Sequence, residues 1–531
     1  MTTLTGTGKL IRLVLRRERL RLSIWIFVLA GVPIITANAF IDLYPDDASR
    51  QALAATVISS PALTSMLGPL YDPSIGGLVA WRAGVLGAVF VALMAVLTVI
   101  RHTREEEETG RRELLGATVV GRHAQLAAAV IVTILAGILV AALLTAGLTG
   151  LGLPLAGSLA FGLGFAGVAA TFAGVGAVAA QLTEAASSAR GIAVSVVGLM
   201  YLLRVAGDAG GEATEWMSWI SPIGWFSRLR PYAEEEWWVV FLWVGMAAVL
   251  IGAAVAIAAR RDVAAGAFPS RPGPSQASPS LSSPLGLAWR LHRGSVIGWT
   301  IGLAVLGMVY GTAGDSIGDM IEGNPQLAEI LEQIGGAQGL TDTYFAAVVG
   351  IIAIVIAAYA IRAVLRLDVE EEAQRAEYVL ATATPRRRFA WSHLVFGLVV
   401  PVVMLAVSGA MAGATYGAIV GDVGAQVPRV LGAAMAQLPA VWVLTGTTIA
   451  LYGLAPRRVG FSWGVLVACV LLGQFGQILQ LPQWSLNLSP FTHIPVVPSD
   501  DIEILPFAIL LVVAAGLISA GLVGFRRRDV G

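Results

Sequence analysis

Along the whole chain, apolar residues gather into blocks separated by short charged or Gly/Pro-bearing stretches. The blocks lie near 22–41, 79–100, 124–151, 155–181, 190–207 and 237–259, then near 295–313, 343–364, 389–419, 430–453, 460–481 and 504–525. An α-helix needs about 20 apolar residues to cross a bilayer, and runs of this length are too long for buried strands. The pattern predicts an all-α integral membrane protein with twelve transmembrane helices in two sets of six. The first set falls in residues 1–263 and the second in 287–531. Between them, 264–286 carries Pro269, Pro272, Pro274, Pro279 and Pro284 among Ser and Gly. That composition cannot bury a core and reads as a linker. Leu10 to Arg21 mixes Leu, Ile and Val with arginines and predicts an amphipathic helix lying at the membrane interface, with a shorter counterpart at Leu287 to Arg293.

Composition excludes a soluble domain: 56% of the 531 residues are hydrophobic and 13% are charged, about half the usual charged share. The net charge of zero gives no reason to expect nucleic acid as a partner. The positions of the charges are more informative. With the N-terminus inside, 28 of the 34 Lys and Arg residues fall in segments on that side, a bias that predicts both termini in the cytoplasm. Residues 1–39 have the basic start, apolar run and small-residue ending of a secretory signal, but the basic region is long. The same element also recurs internally at 287–313, where it cannot be cleaved. Cys469 is the single cysteine, so no internal disulfide and no cysteine-based metal site can form.

The two sets of blocks match in detail. Glu106 to Thr118 follows the second block, and Glu370 to Thr382 follows the eighth at a constant offset of 264. The register continues without a gap to Arg122 and Arg386. Ser221-Pro222 matches Ser489-Pro490, and Arg260-Arg261-Asp262-Val263 matches Arg527-Arg528-Asp529-Val530, at offsets of 268 and 267. The chain reads as two fused six-span halves. Six is even, so both halves insert the same way up, with a pathway expected where they meet.

A transporter needs an energy source. Gly6-Thr7-Gly8-Lys9 lacks the first Gly of a phosphate-binding loop and is followed by Leu10, so it is not one. No carboxylate or histidine sits near the middle of a block, where proton coupling would want one. Arg204 and Asp208, four apart near a block end, read as a local interfacial pair. The five histidines, His102, His123, His292, His393 and His493, are scattered and predict no metal site. No catalytic residue is expected, and energy must arrive from outside the chain. The paired acidic segments are the places to receive it. The candidate contacts are Glu107, Glu108, Arg111, Glu113, Thr118 and Arg122 in the first copy, and Glu371, Glu372, Arg375, Glu377, Thr382 and Arg386 in the second.

These segments resemble the permease family of type-2 ATP-binding cassette exporters, whose loop after the second span carries a pattern like E-x-x-x-G-T-x-x-x-L-L-x-T-P-x-x-R. The first copy keeps the acidic run, Gly110, Leu114, Leu115, Thr118 and Arg122; the second keeps Glu372, Thr384-Pro385 and Arg386. Ser221-Pro222-Ile223-Gly224-Trp225, Arg230-Pro231-Tyr232 and Trp237-Trp238 look like the actinobacterial subgroup described as polyketide-antibiotic or multidrug exporters. The resemblance implies a bacterial plasma-membrane permease that binds no cofactor itself. Two copies of a separate ATPase subunit, carrying ATP and Mg, would dock on the inner loops. It also implies a path for bulky hydrophobic or amphipathic compounds lined by the second and fifth spans of each half, with Phe90, Met94, Met200, Tyr201, Ile356, Tyr359, Gln474 and Phe475 as wall candidates. Aromatic and Met side chains suit such ligands because they offer area and adaptable packing. Trp216, Trp219, Trp225, Phe226, Tyr232, Trp237 and Trp238 predict a partly buried outer hairpin at headgroup level. An ion-gradient-driven secondary multidrug carrier would share the topology and the fusion, but has no need of paired acidic loops. A membrane-embedded enzyme would need a constellation of His, Asp or Cys that the sequence does not show.

Overall fold

In hydrocarbon, every backbone N–H and C=O must find its partner within its own segment, and the apolar blocks accordingly fold as long helices. The computed structural model describes residues 3–59, 64, 67–111, 119–209, 213–262, 265–268, 275–314, 336–475, 482–495 and 504–528. Eleven helices are long and apolar enough to cross a membrane, and no strand occurs among the described residues. In the first half they are α1 (Thr7–Leu43), α2 (Ile75–Glu108), α3 (Ala124–Gly150), α4 (Leu155–Leu182), α5 (Ala186–Asp208) and α6 (Val239–Arg260). In the second they are α7 (Pro284–Thr312), α8 (Tyr344–Glu372), α9 (Arg386–Val420), α10 (Val423–Leu454) and, after the shorter α11 (Phe461–Phe475), α12 (Ile504–Arg527). The remainder of the block expected at 460–481 lies outside the described residues.

The chain divides into two compact units, Met1–Gly273 and Pro274–Gly531. The same helix pairs pack in each. α1 lies on α3, α3 on α4, α2 on α4 and α4 on α6; in the second unit α7 lies on α9, α9 on α10, α8 on α10 and α10 on α12. The core of the first unit forms around α2 and α4, which are each covered over two thirds of their apolar window, and α8 is similarly covered in the second. α6 and α12 instead present Phe241, Val244, Val249, Leu505 and Val512 outward, as a lipid-facing helix must. Where α10 meets α12, Gly453 and Gly521 bring the backbones so close that neither could carry a Cβ, the small-residue packing of membrane helices.

One expectation needs correction. Leu10 to Arg21 is not a separate interfacial helix: it forms the first turns of the 37-residue α1, and the counterpart at 287–293 is likewise part of α7. No Gly or Pro stands between Arg12 and Ala30 to break the helix, so its hydrogen-bond ladder runs straight into the apolar block. The Ala267 and Phe268 amides donate to the Gln181 and Leu182 carbonyls at 2.9 and 3.0 Å, which tie 265–268 to the end of α4.

Candidate functional site

Each half places its acidic run at the end of its second span, on the side of the unit that carries its terminal residues, the terminal side. In the first half α2 passes through a π-helical turn, Arg101–Glu105, before ending at Glu106–Glu108. Each glutamate then meets a different element. Glu105 pairs with Arg190 of α5 at 3.1 Å, and Glu106 with Arg17 of α1 at 2.8 Å and Arg111 at 3.3 Å. Glu107 lies between Arg104 at 2.8 Å and Arg261, just past α6, at 2.9 Å. Glu108 accepts from the Ala186 amide at 2.8 Å, so a carboxylate stabilises one of the open N–H groups at the start of α5. The run is a hub joining α1, α5 and α6 to α2. A pocket of about 400 Å³, open to solvent, lies against it, with Arg122, His123, Gln125 and Gln181 in its wall.

The second half repeats the main bonds at the matching positions. Glu106 with Arg111 becomes Glu370 with Arg375 at 2.7 Å. Glu107 with Arg261 becomes Glu371 with Arg528, and Glu371 also accepts from the Tyr452 hydroxyl of α10 at 2.7 Å. Arg122 donates to the Arg261 carbonyl at 2.9 Å, and Arg386 to the Arg528 carbonyl at 2.6 Å. Burial holds the Arg261 guanidinium below its ordinary pKa, whereas the hydrogen bond to Glu370 raises that of Arg375.

This geometry corrects the docking residues. Glu107 is 3% exposed and points into the unit, so it is not a surface contact; the Arg104 and Arg261 side chains enclose it. Glu371, half-buried against Arg528 and Tyr452, is engaged inward as well. Glu108, Arg111, Arg122, Glu372, Arg375, Glu377 and Thr382 are exposed, and Arg386 is half-buried. Glu113 and Thr118 lie outside the described residues. Sequence reasoning missed Tyr378, 80% exposed in the short helix Arg375–Leu380, and it missed Arg261 and Arg528 as hub partners.

The wall candidates separate in the same way. Phe90 is exposed, and Met200 and Tyr201 are half-buried, with the Arg204 guanidinium 5.5 Å from the Tyr201 ring centre. Met94 and Ile356 are wholly buried in the cores of their own units. Tyr359 is buried too, its ring 5.9 Å from that of Trp299. These three are core residues in this structure, because α2 and α8 are each surrounded by neighbouring helices on more than one face. Gln474 and Phe475 end α11, and their side chains lie outside the described residues.

On the opposite side of the first unit, the far side, Trp225 and Phe226 are buried and Trp216, Trp237 and Trp238 are exposed. Arg204 and Asp208 do pair, at 2.8 Å, at the end of α5, with side chains 0% and 1% exposed, so the pair is buried within the unit. Asp208 also accepts from the Ser218 hydroxyl at 2.9 Å, which ties α5 to the short helix Glu215–Ile220. Arg230, Tyr232 and Glu234 all have φ between 51° and 67°, a left-handed conformation that costs non-glycine residues energy. The Tyr232 ring fills the space left by two missing side chains at Gly76 and Gly157, and its hydroxyl bonds to the Ser158 hydroxyl at 2.8 Å. Burial pushes the Tyr232 pKa up from 10.0 to about 12. The unfolded chain therefore releases this proton first as pH rises, and the stabilisation is lost between those two values. An ultraviolet titration should accordingly show no phenolate from Tyr232 at pH 10, taking Tyr232→Phe as the reference; ionisation at the ordinary value would contradict the buried placement.

The described helices, with their matched hubs and outward apolar surfaces, define an all-α, multi-pass membrane protein. Residues 281–526 match the family model described as the C-terminal domain of the multidrug efflux system permease Rv1217c. Over 528 residues the chain is 44% identical to the multidrug efflux system permease protein Rv1217c of Mycobacterium tuberculosis (strain ATCC 25618 / H37Rv), an alignment that takes in 99% of this chain and 95% of that protein. The chain belongs to this permease family.

Proposed function

We propose that the chain is the permease of an ATP-driven exporter of the type-2 ATP-binding cassette class, resembling its actinobacterial antibiotic and multidrug exporters. It moves bulky hydrophobic or amphipathic compounds out of the cell. The observation that carries this reading is the full-length likeness to a multidrug efflux permease. The chain has no phosphate-binding loop of its own, so hydrolysis falls to a separate ATPase subunit, taken in two copies, one for each half. In this reading the terminal side faces the cytoplasm. The ATPases dock on the exposed residues beside the hubs: Glu108 and Arg111 in the first half, and Glu372, Arg375, Glu377, Tyr378 and Thr382 in the second. A push on either loop then reaches the last span of that half through Glu107–Arg261 or Glu371–Arg528. Phe90, Met200 and Tyr201 are the wall residues that the exposure pattern favours for contact with substrate.

Ion-driven carriage is the second reading, favoured by two buried ionisable pairs near the terminal side. Glu18 of α1 lies 3.0 Å from His102 of α2, and His292 of α7 lies 3.0 Å from His393 of α9. Such groups within a span are functional candidates by default. Vesicle transport separates the two readings. Efflux should persist with the proton gradient collapsed, provided ATP and the partner are present, and should stop when the ATPase is omitted. Efflux that follows an imposed pH gradient without ATP would replace the first reading with the second.

A further inference from the structure

The outward face of α1 has no part in the hub. Arg16 and Arg19 lie on it, both exposed and neither in an ion pair among the described residues, whereas the neighbouring Arg17 reaches Glu106. The one acid within residues 1–41, Glu18, is buried against His102 and cannot serve them. Residues four apart stack along one face of a helix. From Arg16 towards mid-span the row continues through Leu20, Ile24 and Val28, and from Arg19 through Ser23 and Phe27, all exposed. α7 repeats the arrangement. With Trp25 set against Trp299, Arg16 and Arg19 fall on Arg290 and Arg293, which are likewise exposed and without an ion pair among the described residues. The row from Arg293 runs through Ile297 and Ile301, both exposed. The row from Arg290 runs through Gly294, Gly298 and Gly302, where an added Cβ would meet nothing within 4 Å. That row is an open furrow beside the two isoleucines. The inward residue of the same turn differs between the halves, Glu18 in one and His292 in the other. The exposed arginine pair is therefore common to both faces although the packing behind it is not.

We propose that each of these faces binds one anionic phospholipid, its phosphate held by the arginine pair and an acyl chain lying along the row that follows. Arginines three apart on a helix are neighbours, and their guanidinium forks match phosphate oxygens, so one phosphate meets both. From Arg290 to Gly302 is twelve residues, about 18 Å of helix, close to the roughly 15 Å of hydrocarbon in one leaflet. The length therefore fits a lipid whose headgroup sits at the arginines on the terminal side. A soluble subunit could reach the arginines but not the apolar rows at that depth. A second transmembrane helix laid on the same face would close over two cations that bring no counter-charge, which is costly in a membrane. The furrow lets a chain lie closer to α7 than the larger side chains of α1 allow, so the second half holds its lipid more tightly. The proposal goes beyond the efflux reading and does not depend on how transport is driven.

The test counts the lipids retained by the purified full chain in native mass spectrometry, after equilibration in micelles holding equal amounts of phosphatidylglycerol and phosphatidylcholine with the same acyl chains. Neither ATP nor a partner is needed. Wild type should retain two phosphatidylglycerol molecules, each preferred over phosphatidylcholine on the order of tenfold, and added salt should reduce the preference. Arg290→Gln with Arg293→Gln should leave one, Arg16→Gln with Arg19→Gln should also leave one, and the fourfold variant none. Glutamine keeps the length and the helix propensity, and these positions are exposed. Gly298→Leu, which fills the furrow, should weaken both lipids at the second site and leave the headgroup preference in place. Should the glutamine variants fail to fold, the wild-type comparison decides. Equal retention of the two lipids by wild type, or an undiminished phosphatidylglycerol count in the fourfold variant, would overturn the proposal. So would a dimer that Gly298→Leu breaks, which would make the face a contact between two copies of the chain.

Discussion

Replacing Glu107 by Ala should lower the stability of the first half by about 3–5 kcal/mol, the cost of leaving buried charges without their counter-ion. The Arg104 side chain is 0% exposed and that of Arg261 8%, and both point at this one carboxylate. Neither guanidinium can shed its proton at neutral pH to escape the problem. Glu371 is the matching residue, but its pair with Arg528 is 17% and 16% exposed. Water can reach those groups once the partner is lost, so Glu371→Ala should cost about 1 kcal/mol, nearer the surface range. Thermal unfolding of both variants in detergent, followed by tryptophan fluorescence, measures the contrast. Equal losses would show that position in the repeat, and not burial, sets the cost.

The second large effect belongs to the far side of the first unit. Asp208→Ala should also cost about 3–5 kcal/mol, because it leaves Arg204 wholly buried and takes from the Ser218 hydroxyl its acceptor. The double variant Arg204→Met with Asp208→Leu should recover most of that loss, since a well-packed apolar pair of similar volume often replaces a buried ion pair at little cost. Arg204 also lies over the Tyr201 ring, its guanidinium 5.5 Å from the ring centre, so stability and transport are measured separately. A double-mutant cycle gives the coupling directly. Additive losses from the two sites would mean that the pair contributes nothing beyond its separate residues.

Much of the helical fold was readable because a bilayer sets one length scale, and the apolar blocks already show it. The constant offset of 264 also marked segments whose bonding repeats: Glu106, Glu107, Arg111 and Arg122 share their bonds with Glu370, Glu371, Arg375 and Arg386. The direction in which those glutamates face was not readable. Repetition of an acidic run says that it is used twice, but it does not separate a surface contact from an internal ion pair. The clue lay in the second repeated motif, Arg260-Arg261-Asp262 with Arg527-Arg528-Asp529, which supplies the counter-charges. Its offset differs by three residues and its distance along the chain from Glu107 is 154 residues, so spacing alone could not join the two. The continuity of α1 was hidden by its arginines, which suggest an interfacial surface although nothing in the backbone interrupts the helix. The burial of Met94, Ile356 and Tyr359 depends on which neighbours cover α2 and α8, information that belongs to packing.

Carrying both six-helix sets on one polypeptide changes what a single mutation can do. In a protein assembled from two identical half-length chains, every substitution would strike both sets together, and a change useful in one place would be imposed on the other. Here each position can drift alone. If Trp25 is set against Trp299, then Arg16 and Arg19 fall on Arg290 and Arg293, and Glu18 falls on His292. At the offset of 264 Trp81 faces Phe345, and the offset of 268 puts Leu472 where the first half has Arg204. The shared hub bonds have been kept through this divergence, while the ionisable and hydrogen-bonding groups elsewhere have become different in the two sets. A chain of this design can adjust its chemistry on one side without giving up a bond on the other.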